Sequence, residues 1–281
     1  MNVADAMTPR DSLVTAVVPG TREDVLDRLQ DNEFSSIPVV NDDSGEFRGL
    51  VSRERLMAEP DEDQLALLVE EMETVESDAP VGTAVAVVNA TGQRRAPVVD
   101  DGELTGIVTV TDLVRAVAND DVAADATAAE LMTERVNTTF RETPLTVAER
   151  ELAYAGEAYG LVLDDSARPA GMLTEVDVLD VARIVEGEES TGDAIADEDD
   201  DWKWEGIKAV GARYLPTRNV ELPTEPVAAF MTESLVTVAR SKPATEIARL
   251  LVTEDIEQAP VVSGDEVVGV VRDTDLLDAL V

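Results

Sequence analysis

The chain repeats itself four times, and this periodicity limits what it can fold into more than any other feature. Near the end of each copy stands a glycine followed by two apolar residues and four more. The copies are Gly49-Leu50-Val51-Ser52-Arg53-Glu54-Arg55, Gly106-Ile107-Val108-Thr109-Val110-Thr111-Asp112, Gly171-Met172-Leu173-Thr174-Glu175-Val176-Asp177 and Gly269-Val270-Val271-Arg272-Asp273-Thr274-Asp275. About ten residues before each glycine lies a short apolar strand: Ile37-Pro38-Val39-Val40, Ala96-Pro97-Val98-Val99, Tyr159-Gly160-Leu161-Val162 and Ala259-Pro260-Val261-Val262. A Met-Thr or similar pair leads into each copy, at Met7-Thr8, Met72-Glu73, Met132-Thr133 and Met231-Thr232. A short β segment such as Leu235-Val236-Thr237-Val238 comes next. A helical stretch follows, with apolar residues three and four apart, as in Val25, Leu26, Leu29 or Ile247, Leu250, Leu251. Turns such as Asp100-Asp101-Gly102 and Ser263-Gly264-Asp265 separate the last two strands. A closing helix is expected to begin around the final Asp. Each unit reads β-α-β-β-α.

Units of about sixty residues make a marginal core alone, so they are expected to pair, sheet face to sheet face. Four of them give two pairs. The closing positions 55, 112, 177 and 275 are 57, 65 and 98 residues apart, so about 35 extra residues fall between the third and fourth copies. The expected organisation is repeat 1 at 1–59, repeat 2 at 60–122, repeat 3 at 123–185, an insertion at 186–226 and repeat 4 at 227–281. Within the insertion, Glu186 to Asp201 reads as a solvated linker. Its acidic run Asp197 to Asp201 lacks the alternating ligands and turn glycine of a calcium loop. Trp202 to Pro223 holds both tryptophans, Tyr214, Lys203, Lys208, Arg213 and Arg218. That concentration suits an arm covering apolar surface, or one that meets a ligand or a partner subunit.

Composition removes most catalytic chemistry. The chain has no cysteine and no histidine, which excludes thiol nucleophiles, thiolate metal sites and His-based acid–base catalysis. Lysine occurs only at Lys203, Lys208 and Lys242, so an enzyme would have to work with carboxylates. A net charge of -38 is the wrong sign for nucleic acid, whose binding draws on Lys and Arg against phosphates. No stretch approaches the ~20 apolar residues of a membrane span. The start Met1-Asn2-Val3-Ala4-Asp5 lacks the basic and apolar regions of a signal peptide. A soluble, cytoplasmic protein that touches neither nucleic acid nor membrane is expected.

In order and four times over, the lead-in Met-Thr, the x-Pro-Val-Val strand and the Gly-h-h-[Ser/Thr]-x-x-Asp end resemble CBS domains. The whole chain apart from the insertion resembles two tandem CBS pairs (Bateman modules). The arrangement is similar to stand-alone archaeal four-CBS proteins and to the gamma subunit of AMP-activated protein kinase. The resemblance implies an α/β (α+β) fold of four CBS units in two modules forming a disc. It also implies a regulatory role, with adenine nucleotides (AMP, ADP or ATP) held in clefts between paired units and occupancy signalled to a regulated protein.

The resemblance assigns the ribose hydroxyls to Asp112, Asp177 and Asp275, and the phosphate to Thr109, Thr174, Ser52 and Arg272. It assigns the base to Ile37, Ala96, Tyr159 and Ala259, with Thr15, Thr74, Thr138 and Thr237; Tyr159, in the copy where Tyr159-Gly160 replaces x-Pro, either stacks on a base or only fills core space. The chemistry agrees: a carboxylate at a helix start can accept from both hydroxyls of a cis-diol. A hydroxyl beside helix N-terminal amides suits an anion. A residue held extended before proline can offer its backbone to a base edge. Repeats 2 and 3 keep the hydroxyl and the carboxylate, repeat 4 has Arg272 in the hydroxyl place, and repeat 1 has Arg55 where the carboxylate should stand. Arg53, Arg94, Arg95, Arg141, Arg168, Arg240 and Lys242 are phosphate candidates by proximity. Each closing Asp is equally explained as a helix cap that needs no ligand.

No resident cofactor is expected, only the nucleotide as regulatory ligand. S-adenosylmethionine as the ligand, a ligand-free interaction scaffold and a homodimer stay open. Sixty acidic against twenty-two basic residues, with so few lysines, resembles proteins of salt-accumulating organisms. At molar salt the screening length falls to about 3 Å, which relieves the self-repulsion of such a surface. Cooperative thermal unfolding is therefore expected in molar KCl and a sharply lower midpoint in dilute buffer. Equal midpoints would refute the salt requirement.

Overall fold

The structure, a computed structural model, describes residues 1–31, 36–52, 55–56, 59, 62–181, 183–184, 220–264 and 266–280. Arg53, the acidic run at 197–201 and nearly all of the arm from 202 to 223 lie outside the described residues.

Repeat 1 comprises β1 (Thr8–Pro9), β2 (Ala16–Val18), α1 (Arg22–Asp31), β3 (Ser36–Asn41) and β4 (Phe47–Ser52). Repeat 2 has α2 (Val81–Thr91), β5 (Arg95–Asp100), β6 (Glu103–Thr109) and α3 (Val110–Ala118). Repeat 3 has β7 (Thr138–Phe140), α4 (Leu145–Ala155), β8 (Tyr159–Leu163), β9 (Pro169–Thr174) and α5 (Glu175–Val181). The short strands β10 (Arg183–Ile184) and β11 (Val220–Glu221) pair antiparallel, so the chain leaves for the insertion and returns at one place. Repeat 4 has β12 (Val238–Ala239), α6 (Ala244–Glu254), β13 (Gln258–Ser263), β14 (Glu266–Arg272) and a closing 3-10 helix over Asp275–Leu280.

Local chemistry explains these elements. Helices α2, α4 and α6 each follow a proline (Pro80, Pro144, Pro243) and end on a left-handed residue (Gly92, Gly156, Asp255) that turns the chain out of the helix. Parallel strands need a crossover, and α1, α4 and α6 supply it between β2 and β3, β7 and β8, β12 and β13. The third strand of each repeat returns antiparallel. Each hairpin carries a bulge at the same place, after Val39, Val98, Val162 or Val261. The β5–β6 turn has Asp101 at φ 51° and Gly102 at φ 87°, the left-handed pair that a tight two-residue hairpin requires.

The lead-in segments do not stay with their own repeats. β1, from repeat 1, lies antiparallel on β6 of repeat 2, with Thr8 opposite Ile107. Glu70, ahead of repeat 2, bridges Leu50 of repeat 1. Thr133, ahead of repeat 3, bridges Val270 of repeat 4, and Thr232, ahead of repeat 4, bridges Met172 of repeat 3. The exchange accounts for the repeated glycine. A Cβ at Gly106 would stand 2.6 Å from the Met7 sulfur and 2.7 Å from the Thr8 carbonyl. At Gly171 the same atoms of Met231 and Thr232 are both 2.8 Å away, and at Gly269 those of Met132 and Thr133 are 2.8 and 2.7 Å away. At Gly49 the neighbours are Val69 and Glu70. The second lead-in is therefore Val69-Glu70 rather than Met72-Glu73, because an aliphatic side chain fills the place that methionine takes elsewhere.

Two compact units result, one of residues 1–134 with 237–281, the other of residues 135–236. In the first, repeats 2 and 4 share a core. Leu113, Val114 and Val117 of α3 join Ile247, Ala248 and Leu251 of α6 with Leu276 and Leu277, all at most 2% exposed. Repeat 1 has its own cluster around Val25, Leu29, Ile37, Val39, Val51, Leu65 and Leu68. The second unit is built on Leu145, Ala148, Leu152, Val162, Leu173, Val178, Val227 and Met231. Each fully buried aliphatic side chain contributes about 1.5–3 kcal/mol, so the abundance of Val and Leu compensates for the scarcity of aromatics.

One core position breaks the pattern. Counting from the helix-leading proline, Glu149 of α4 occupies the place of Val85 in α2 and Ala248 in α6, both 0% exposed. Glu149 is 1% exposed, its Oε1 has no hydrogen-bond partner among the described residues, and its Oε2 is 3.7 Å from Arg150 Nε. Burial pushes its pKa up, and Arg150 offsets this in part. The folded-state value thus lies above the unfolded one, so the penalty is absent below about pH 4 and fully present above the folded value. Glu149→Gln is expected to stabilise the protein by about 1–3 kcal/mol at neutral pH and by nothing near pH 4, followed by thermal denaturation. Gly106→Ala is expected to destabilise by about 1–3 kcal/mol by overpacking the exchanged strand. Adding Met7→Ala should restore little of that loss, since the Thr8 carbonyl stays in the way.

Candidate functional site

In each repeat the sheet gathers the same residues at one end. In repeat 2, Val75 N–H donates to the Pro97 carbonyl at 3.0 Å, setting Thr74 beside Ala96. Register then pairs Ala96 with Val108 and Arg95 with Thr109, where the third strand runs into α3. Thr15, Thr74, Thr138 and Thr237 occupy one equivalent place, since the residue after each pairs with Val39, Val98, Val162 or Val261. All four are half-buried or exposed, whereas Ile37, Ala96 and Ala259 are at most 1% exposed, so that their side chains belong to the core.

The third copy sits one residue away from its apparent alignment. Val162 lies opposite Gly171 as Val39 lies opposite Gly49, which puts Gly160-Leu161, not Tyr159-Gly160, in the x-Pro place. Tyr159 takes the position of Ser36, Arg95 and Gln258. It is 1% exposed, so its ring fills core and shows no open face for a base.

The closing Asp is not the first residue of its helix. Thr109 is the N-cap of α3 and Asp112 its third residue, and the two form a capping box. Thr109 donates from its backbone N–H (3.0 Å) and its hydroxyl (2.8 Å) to Asp112 Oδ2, and accepts from the Asp112 N–H at 3.2 Å. The other oxygen, Oδ1, is 3.3 Å from Arg115 NH1. Thr174 and Asp177 repeat the arrangement at 2.8, 2.8 and 3.3 Å. Asp177 Oδ1 has no hydrogen-bond partner among the described residues. Equivalent boxes at Thr21–Asp24 and Thr127–Glu130 start helices elsewhere, and there the Thr hydrogen bonds hold the carboxyls below their ordinary range. A capping box by itself therefore does not single out repeats 2 and 3; what sets theirs apart is its place beside the x-Pro strand and the lead-in Thr.

Repeats 1 and 4 are occupied differently. Arg272 donates from its backbone N–H to Asp275 Oδ2 at 2.8 Å, while its NH2 lies 2.9 Å from Oδ1 and its Nε 3.3 Å from both oxygens. The guanidinium closes over the Asp275 carboxylate. In repeat 1, Ser52 donates to Glu70 Oε2 at 3.0 Å and accepts from the Arg55 N–H at 3.1 Å. Arg55 itself lies 3.6 Å from Glu59.

Of the nearby cations, Arg141, Arg168 and Lys242 pair locally with Glu142, Asp164 and Glu246. Arg95 reaches Ser36 of repeat 1 at 2.8 Å. Arg94 reaches repeat 4, with NH2 2.5 Å from Asp273 Oδ2 and 3.0 Å from Glu257 Oε1. The pair Arg94-Arg95 is visible in sequence, but its partners lie in other repeats and carry no sequence signal.

The sequence profile of the CBS domain matches residues 3–62, 66–119, 128–183 and 227–281. Protein MJ1404 of Methanocaldococcus jannaschii is 26% identical over 278 residues, 98% of this chain and 61% of that protein, so the chain spans about three fifths of its length. The A-adding tRNA nucleotidyltransferase of Aquifex aeolicus is 32% identical over 102 residues, 35% of this chain but 12% of that enzyme. Among solved structures, a conserved protein from Pyrococcus horikoshii is 24% identical with a TM-score of 0.70, covering 100% of both chains. MJ1225 of Methanocaldococcus jannaschii, a proposed archaeal homologue of g-AMPK, is 17% identical with a TM-score of 0.66, again over 100% of both. These structural likenesses concern the fold.

Proposed function

The chain belongs to the CBS domain family, and we propose on that footing that it is a non-catalytic sensor of adenosine-containing ligands. The observation that carries this reading is the Thr–Asp pair of repeats 2 and 3, set where the lead-in Thr and the x-Pro position converge. One carboxylate oxygen holds the capping box, and the other would accept from a cis-diol. The threonine hydroxyl and the first amides of the helix suit phosphate, and the backbone at Ala96 or Gly160 suits a base edge.

The four half-clefts then rank by chemistry. Repeat 3, where Asp177 Oδ1 has no partner among the described residues, is the strongest; repeat 2, whose Asp112 Oδ1 must be shared with Arg115, follows. In repeat 4 the diol must displace Arg272, and in repeat 1 there is no carboxylate. AMP, ADP and ATP are the first ligands to consider, and S-adenosylmethionine carries the same diol. Occupancy regulates a partner protein only if the ligand contacts two arrangements of the chain unequally. A ligand-free scaffold is the second reading, and it is favoured by the Arg272–Asp275 fork and the buried Tyr159.

Calorimetric titration in molar KCl with these four ligands, after stripping any that co-purify, separates the readings. Saturable binding is expected. Asp112→Ala and Asp177→Ala are each expected to weaken their own site about 10- to 100-fold, the loss of charge-assisted bonds worth about 1.5–3 kcal/mol. Asp→Asn at the same positions keeps a capping acceptor and controls for folding. Arg272→Thr, which frees Asp275, is expected to add a site. Absence of heat with every ligand, together with an unmoved melting temperature, would leave the scaffold.

A further inference from the structure

Helix α3, which carries Thr109 and Asp112 at its start, is tied to repeat 4 at both ends. At its beginning, Val110 N–H donates to the Arg94 carbonyl at 2.9 Å, and the Arg94 side chain grips Asp273 and Glu257. Past its end, Arg249 of α6 donates to the Ala118 carbonyl at 2.7 Å and lies 2.5 Å from Asp120. Between these ties, α3 and α6 share one apolar core. The two arginines differ in what they hold. Asp120 is 67% exposed, whereas the Asp273 side chain is 9% exposed and receives Arg94 on both oxygens. Asp273 Oδ1 also accepts from the Thr274 N–H at 2.7 Å, and the Asp273 carbonyl from the Leu276 N–H at 3.2 Å, so this residue organises the start of the closing 3-10 helix.

We propose that Arg94 is a latch through which the Thr109–Asp112 half-cleft of repeat 2 is coupled to the closing helix of repeat 4. Its backbone is fixed to the first residue of α3, and its guanidinium, on a side chain 36% exposed, is shared between two carboxylates of repeat 4. Any shift at the start of α3 pulls on Asp273. An anion bound there competes with Asp273 and Glu257 for the same guanidinium and frees a nearly buried carboxylate that the final turn depends on. The ion pair is therefore both a mechanical link and a competitor for ligand charge. The sensor reading supplies the ligand; the link itself stands on the ligand-free geometry.

Hydrogen–deuterium exchange of the full chain tests both parts. Without ligand, Arg94→Gln and Asp273→Asn are each expected to speed exchange about 5- to 10-fold in residues 110–113 and 273–277 together. The double variant is expected to add little to either single. Additive effects, or a change confined to one segment, would overturn the latch. With AMP, the unmodified chain is expected to change exchange at 273–277. Arg94→Gln is expected to bind AMP more weakly by calorimetry, because the anion loses that guanidinium, and at saturating AMP to lose the response at 273–277. If AMP binds and 273–277 responds alike in both, the latch falls and the sensor reading stands. If AMP does not bind, the comparison without ligand decides the latch, and the sensor reading falls only if ADP, ATP and S-adenosylmethionine fail as well.

Discussion

The passage of one repeat's lead-in across the glycine of another is the contact on which the rest of the architecture depends. Thr8 on Ile107, Glu70 on Leu50, Thr133 on Val270 and Thr232 on Met172 are the same contact made four times. A unit of about sixty residues cannot bury enough apolar surface alone. Here each repeat borrows a strand and a side chain from its neighbour, and the neighbour borrows in return. The glycine is required because the lead-in backbone passes within the space a Cβ would fill. This is a packing constraint, not a conformational one, at Gly106, Gly171 and Gly269.

The strongly acidic surface bears on the candidate site as well. With so many carboxylates present, what distinguishes a ligand acceptor is whether its oxygens are already engaged. Among the described residues Asp177 has one oxygen without a partner, Asp112 shares one with Arg115, and Asp275 has both covered by Arg272. Four copies of one fold therefore offer four different electrostatic environments. Arg94 adds a further layer, since a guanidinium held by Asp273 and Glu257 is available to an anion only at the expense of the contact between repeats 2 and 4.

The repeat unit, the positions of its strands and the helix faces of Val25, Leu29, Ile247 and Leu251 were legible because period and turn chemistry act locally. So was the pairing of Thr109 with Asp112, three residues apart. Two readings shifted. The second lead-in proved to be Val69-Glu70, because packing on Gly49 asks for an apolar side chain and not for methionine in particular. The third x-Pro place proved to be Gly160-Leu161, because a hairpin register is set by the bulge and turn and not by the look of the motif.

What the sequence determined by itself is the repeat and its number: four units each built on a helix and two strands, an interruption after the third, and which repeats carry a hydroxyl and a carboxylate in the closing position. These follow from short-range order, in which residues a few places apart meet whatever the rest of the chain does. Only the tertiary structure decided which repeat lends its lead-in to which, that repeats 2 and 4 share one core, and that Arg272 turns on its own Asp275 while Arg94 turns on another repeat's Asp273. Those outcomes rest on side chains as far apart as Arg94 and Asp273, 179 positions, competing for the same space and the same charge, and no local pattern records the result of that competition.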